Sequence, residues 1–225
     1  MLQLIADVIT AAKKEEERVN KRILSVRETI SPEDFKTLLE LRANTVLAQR
    51  RSTNAFIVDN DNRPVINMLY TYITRVNCPL NPFIGIILNG TYGCGKSVLI
   101  EAFCMVLNDL TYTESNKIEF VHAIELAEQI RNVGVIPYSK KPLLIQDLGK
   151  EKKEINHFGT LVNPISELLA IRAEYGALTF GSTNMKKTSF KDAYKEFISK
   201  RITEHVNLVL LPGEDRRRDF SINQP

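Results

Sequence analysis

Eight residues have the types and spacing that phosphate chemistry needs: Gly90-Thr91-Tyr92-Gly93-Cys94-Gly95-Lys96-Ser97. They follow an apolar run and open a helical period formed by Val98, Leu99, Ile100, Ala102 and Phe103. A strand-to-helix turn of small residues aims successive backbone N–H groups inward, and the helix N-terminus adds partial positive charge. Phosphate oxygens then become the partners those amides lack. In such a cradle Lys96 reaches β- and γ-phosphates, and the Ser97 hydroxyl can ligate Mg²⁺. A chance match to this pattern in a chain of ordinary glycine content is on the order of one in a hundred. The strand–loop–helix context lowers that further. The reading is a phosphate loop that binds ATP with Mg²⁺ through Gly90–Ser97.

A second element, Lys141-Pro142-Leu143-Leu144-Ile145-Gln146-Asp147-Leu148-Gly149, is an apolar strand ending in an acid, the Walker B form. A carboxylate there holds the Mg²⁺ hydration shell, and a neighbouring acid polarises the attacking water. Only one acid is present, and two counts are open. Counted back from Leu148-Gly149, Gln146 replaces the metal-side acid and Asp147 takes the catalytic position. On the simpler count Asp147 is the metal-side acid and no catalytic one remains. Either way hydrolysis is expected to be slow or conditional.

Three further positions can act on phosphate. Asn184 ends the run Leu178–Phe180 and Gly181-Ser182-Thr183, where a polar side chain can orient water beside a γ-phosphate. Arg201 sits late in a helix, placed to neutralise transition-state charge at a neighbouring subunit's ATP. Lys200 and Arg201 can equally be solvated charges that complement a helix C-terminus. Arg217, within Arg216-Arg217-Arg218, can bind phosphate of ATP or of DNA, or belong to a solvated basic tail. Lys186-Lys187 could line a groove for a DNA strand.

Around these residues, short apolar runs alternate with helical periods from Phe83 onward, which predicts βαβ units. Strands are expected at Phe83–Leu88, Ile118–His122, Leu143–Asp147, Ala177–Gly181 and Val206–Leu211, and helices at Lys96–Leu107, Ala123–Asn132, Leu161–Tyr175 and Phe190–Arg201. The fold class is α/β, a P-loop NTPase three-layer sandwich on a mostly parallel five-stranded sheet. A small helical region precedes it. There Leu2, Ile5, Ile9 and Ala12 share a face that Val19, Ile23 and Val26 continue. Ser31-Pro32 starts a helix striped by Phe35, Leu38, Leu39 and Val46, and Val65, Leu69, Tyr72 and Ile73 form another stripe. Pro79-Leu80-Asn81-Pro82 reads as the linker, which divides the chain into 1–80, a partner-binding region, and 81–225, the ATPase domain.

The 225 residues are 44% hydrophobic and 25% charged, an ordinary globular composition, and a net charge of +3 permits nucleic-acid binding without demanding it. Cys78, Cys94 and Cys104 lack metal-ligand spacing and read as reduced thiols. No signal peptide is read at the start of the chain, and no apolar run approaches membrane-spanning length. The expected location is the cytoplasm.

Taken as a set, Gly90–Ser97, Leu143–Gly149, Phe180–Asn184, Ser199–Arg201 and Gly213–Arg217 resemble the AAA+ ATPases of the replicative helicase-loader type (DnaC-like). Transposon helper ATPases (IstB-like) lie close by. His157-Phe158-Gly159-Thr160, running into Leu161–Ile165, is similar to the segment after Walker B in loaders of phage or mobile-element type. The resemblance spans about Phe83 to Arg217. It implies Asn184 as sensor 1, Arg201 as an arginine finger, single-stranded DNA binding, homo-oligomers when ATP is bound, and a grip on the replicative helicase through the N-terminal helices. One departure from that family is expected: the chain ends soon after the last strand, so the helical lid of larger AAA+ proteins is expected to be missing. The alternatives are a transposase helper and an ATP-binding scaffold with little turnover. A P-loop kinase would want an arginine-rich lid and an acceptor pocket instead.

Overall fold

The computed structural model describes residues 10, 11, 13, 14, 30–111, 114–151, 155–157, 160–185, 194 and 196–217, with only the backbone described for 155–157, 160–162, 196–199 and 201. The expected N-terminal stripes from Leu2 to Ala12 and from Val19 to Val26, together with Phe158-Gly159, Lys186-Lys187 and Arg218, lie outside the described residues.

Helix α1 (Pro32–Gln49) begins as its sequence dictates. Ser31 accepts from the Asp34 N–H at 3.0 Å, Pro32 occupies the first turn, and Phe35, Leu39, Ala43 and Val46 turn inward. Helix α2 (Arg63–Thr74) buries Val65, Ile66, Leu69, Tyr72 and Ile73. After it come strand β1 (Gly85–Asn89), helix α3 (Lys96–Asp109), β2 (Glu119–His122), α4 (Ala123–Val133) and β3 (Leu143–Leu148). Then follow β4 (Ile155–His157), β5 (Thr160–Val162), α5 (Pro164–Glu174), β6 (Thr179–Thr183), α6 (Glu196–His205) and β7 (Val206–Leu210).

Five strands form one parallel sheet in the order β2-β3-β6-β1-β7, so β6 lies between the two strands that carry the phosphate loop and the acid. Alternation along the strands splits the interior into two layers. Ile86, Leu88, Leu144, Phe180 and Val209 face α1, α2 and α3, whereas Ile87, Leu143, Ile145 and Leu148 face α4, α5 and α6. The result is the expected three-layer sandwich. Phe103 centres the first layer, with ring centroids 6.0 Å from Tyr72, 6.5 Å from Phe35 and 6.4 Å from Phe180. The apolar faces of α1 and α2 thus belong to the same core as the sheet. Arg42 on α1 also grips Asp109 at the end of α3 through two bonds of 2.6 Å.

Several boundaries depart from expectation. The helix read from Leu161 starts at Pro164, because Asn163 takes the cap and accepts from the Ser166 N–H at 2.9 Å. A residue before proline is pushed out of helical conformation. Thr160–Val162 instead pair antiparallel with Ile155–His157, a hairpin that the periodicity did not signal. The strand read at Ala177–Gly181 runs from Thr179 to Thr183, since Gly176 (φ 60°) and an Ala177 N–H bond to Arg172 O are still closing the helix. Helix α6 extends past Arg201 to His205. Among the described residues, no helix is long and apolar enough to cross a membrane.

Candidate functional site

The loop between β1 and α3 is shaped by its glycines. Gly95 is the N-cap of α3 at φ 96° and among the described residues no side chain caps the helix, so its first-turn N–H groups, which have no acceptor within the helix, can meet a ligand. Gly93 (φ 76°) has no room for a side chain: a Cβ there would stand 1.8 Å from Asp215 Oδ1. Lys96 is only 5% exposed, and its ammonium donates to Thr91 O and lies 3.6 Å from Cys94 Sγ. Cys94 is itself buried, its thiol donating to Leu211 O at 3.6 Å. Thr91 Oγ1 donates to Gly213 O at 2.9 Å, and the exposed Tyr92 lines the cavity over the loop. The Ser97 hydroxyl sits 3.4 Å from that of Ser182 on β6.

The end of β3 separates Gln146 from Asp147. Gln146 is 4% exposed and lies two residues beyond Leu144, on the face that packs α3. Its Nε2 donates to Glu101 Oε2 at 2.6 Å, and Arg50 donates to the same oxygen. At Asp147 the ladder is irregular and the backbone turns left-handed, with φ 59°. The Asp147 N–H donates to Ser182 Oγ at 3.1 Å, and its carboxylate accepts from Lys150 Nζ at 2.8 Å. Glu151, buried, ties this turn down by accepting from the Gly149 N–H at 2.7 Å and from the Tyr194 hydroxyl at 2.6 Å. Burial beside that carboxylate pushes the Tyr194 hydroxyl well above the usual tyrosine range.

One cavity of about 420 Å³ gathers Lys96, Ser97, Asp147, Lys150, Asn184 and Arg217. Asn184 stands one residue beyond the end of β6. A second cavity of about 620 Å³ shares Gly93, Gly95 and Val98 with the first and is walled by Phe56, Ile57 and Arg216. The pair forms a polar end beside a broader, more apolar one, a shape suited to a phosphate chain joined to a flat ring.

The arginine run divides unexpectedly. Arg217 is mostly exposed and holds Asp215 at 3.0 and 2.9 Å. Arg216 lies closer to the loop: its N–H donates to Gly93 O at 3.0 Å, and its guanidinium pairs with Asp59, one bond measuring 3.2 Å. Its Nε is buried and has no hydrogen-bond partner among the described residues. That orphaned donor, together with the uncapped helix start, fits an anionic ligand above Gly93–Ser97. Hydroxyl, amide and carboxylate oxygens at Ser97, Gln146 and Asp147 are the hard donors that suit Mg²⁺ and its water shell. Hydrogen bonding from Arg216 pulls the Asp59 carboxyl down to about 2. The backbone of Arg201 lies in α6, and its side chain is outside the described residues. Sequence reasoning missed Arg50, Asp59, Glu101, Lys150 and Ser182 as neighbours of the site, and named Arg216 only as a member of the arginine run.

No family model matches the chain, and no curated protein matches it in sequence. Solved structures do match in shape. The DnaC helicase loader is 16% identical over 69% of this chain and 93% of its own, with a TM-score of 0.53. A protein assigned to the primosome of Streptococcus pyogenes serotype M3 is 17% identical over 72% and 85%, with a TM-score of 0.54. DnaI is 18% identical over 70% and 88%, with a TM-score of 0.51. At such identities the likeness is one of fold alone, the α/β sandwich on a parallel sheet that this chain shares with the helicase-loader structures.

Proposed function

We propose that this chain, whose fold is that of the helicase-loader structures, is an ATP-binding DNA-replication factor that loads a replicative helicase. One observation supports this most. The uncapped start of α3, Lys96, Asp147 and Asn184 converge on a single cavity. In this reading Gly90–Ser97 cradle the phosphates, with Thr91, Tyr92 and Cys94 offering backbone, and Arg217 joins Arg216 at the triphosphate. Ser97 and Asp147 hold Mg²⁺, which when bound neutralises developing phosphate charge. Asp147 orients the attacking water, Asn184 senses the γ-phosphate, and Arg201 of a neighbouring copy completes the site, so ATP favours the oligomer.

Two features support slow, partner-dependent turnover: Gln146 stands in the α3-facing register, and Asp147 is engaged by Lys150. The same features favour a second reading, a scaffold that binds ATP with little turnover. Because α1 and α2 spend their apolar faces on the core, the helicase contact within region 1–80 falls to their outward faces and to residues 1–29. Single-stranded DNA is the other proposed partner, and the cytoplasm the proposed location.

Lys96→Ala is expected to abolish ATP binding in a calorimetric titration, and retained affinity would refute the nucleotide reading. DNA affinity should fall linearly with salt on a log–log plot. A flat response removes DNA as a ligand. Capture of a transposase instead of a helicase by the full chain would move it to the helper class.

A further inference from the structure

We infer that Glu101, one helical turn beyond Ser97 on α3, is a positioning residue that fixes the orientation of the Gln146 amide for Mg²⁺. This rests on the nucleotide reading above. Residues four apart lie on one helix face, so Ser97 and Glu101 both look toward the end of β3. There Gln146 Nε2 donates to Glu101 Oε2 at 2.6 Å, with Gln146 buried and the Glu101 side chain 15% exposed.

A carboxylate only accepts, so the end of the amide that meets it must be the nitrogen. The amide oxygen is then the end that can turn toward the site. It belongs to the same face as Ser182, whose hydroxyl is 3.4 Å from Ser97 Oγ. The negative charge missing from β3 has therefore not left the neighbourhood. It sits one layer back, on α3, acting through a neutral amide. Arg50, which also lines the phosphate cavity, shares the Glu101 oxygen and holds the carboxylate in place. Outer groups that orient a metal's ligands in this way commonly matter almost as much as the ligands themselves.

The test compares ATP affinity in excess Mg²⁺ with affinity in EDTA, by calorimetric titration of the full chain. In Glu101→Gln either end of either amide can face the other, so the orientation is lost. The gain in affinity that Mg²⁺ confers should shrink roughly tenfold, while affinity in EDTA stays near that of the unaltered chain. The exchange Glu101→Gln with Gln146→Glu keeps one amide–carboxylate bond between the same two positions and moves the charge onto β3. It should return the Mg²⁺-linked gain to its original size or beyond.

An undiminished gain in folded Glu101→Gln overturns the inference, and so does an exchanged variant that folds by circular dichroism without regaining it. If Glu101→Gln does not fold, the exchanged variant alone decides, and its failure to fold as well assigns the pair to structure and overturns the positioning role. A chain that binds no ATP, with Lys96→Ala no different, fails the nucleotide reading itself. Mg²⁺-dependent binding that ignores Glu101 fails only this step.

Discussion

Asp147 faces two ways: its carboxylate lines the phosphate cavity, and Lys150 neutralises it at 2.8 Å. Lys150→Ala should free that carboxylate and raise ATP turnover about two- to fivefold, the range that an exposed ion pair of up to ~1 kcal/mol converts to. Unchanged turnover in a phosphate-release assay would show that the pair does not restrain the acid. Arg216 and Arg217 are adjacent, yet of the two Arg216 alone carries a buried Nε that has no partner among the described residues. Arg216→Ala is therefore expected to weaken ATP binding more than Arg217→Ala in the same titration. The Asp59 partner adds a pH signature. Its carboxyl falls from an ordinary 3.8 to about 2, so the pair contributes fully above 3.8 and is lost as pH falls toward about 2. Asp59→Asn should flatten acid unfolding in that window, and an unchanged acid titration would count against the pair. The glycine turn between β1 and α3 was legible because its physics is local, whereas Glu101 and Asp59 reach the cavity from other elements. No spacing in a sequence announces a contact such as Asp59–Arg216, made across 157 positions.

At the scale of elements, the strands of the sheet were readable to within about two residues, since parallel strands buried on both faces appear as continuous apolar runs. Failures fell where one strong local residue outvoted periodicity. Pro164 set the start of α5 and left Asn163 as its cap. Asn163→Ala should destabilise the protein by about 1 kcal/mol in thermal unfolding, the usual worth of such a cap. No measurable shift would mean that α5 is held by packing alone. The β4–β5 hairpin escaped notice because strands of three residues each are too short for a period-two pattern to register. Arg172 on α5 escaped for a different reason. It is buried and bonded to Thr179 Oγ1, Lys141 O and Leu178 O at 2.9, 2.9 and 2.7 Å, a role for arginine that composition does not forecast. Desolvation pulls its guanidinium down to about 10, still protonated at neutral pH.

For the whole molecule, the pairing of Asp59 with Arg216 sets an order of events. Closing so long a stretch of chain carries an entropic cost that short-range contacts avoid, so such contacts are expected late in folding. Arg216 follows β7, the edge strand laid beside β1, and its backbone seals Gly93. Competence to hold a nucleotide is thus expected to appear last during refolding, after helix and sheet signals have saturated. Stopped-flow circular dichroism beside a fluorescent ATP analogue would register the lag, and simultaneous traces would remove it. A ribosome-tethered chain that has not yet released β7 would have its helices and most of its sheet, yet stay blind to the cell's ATP.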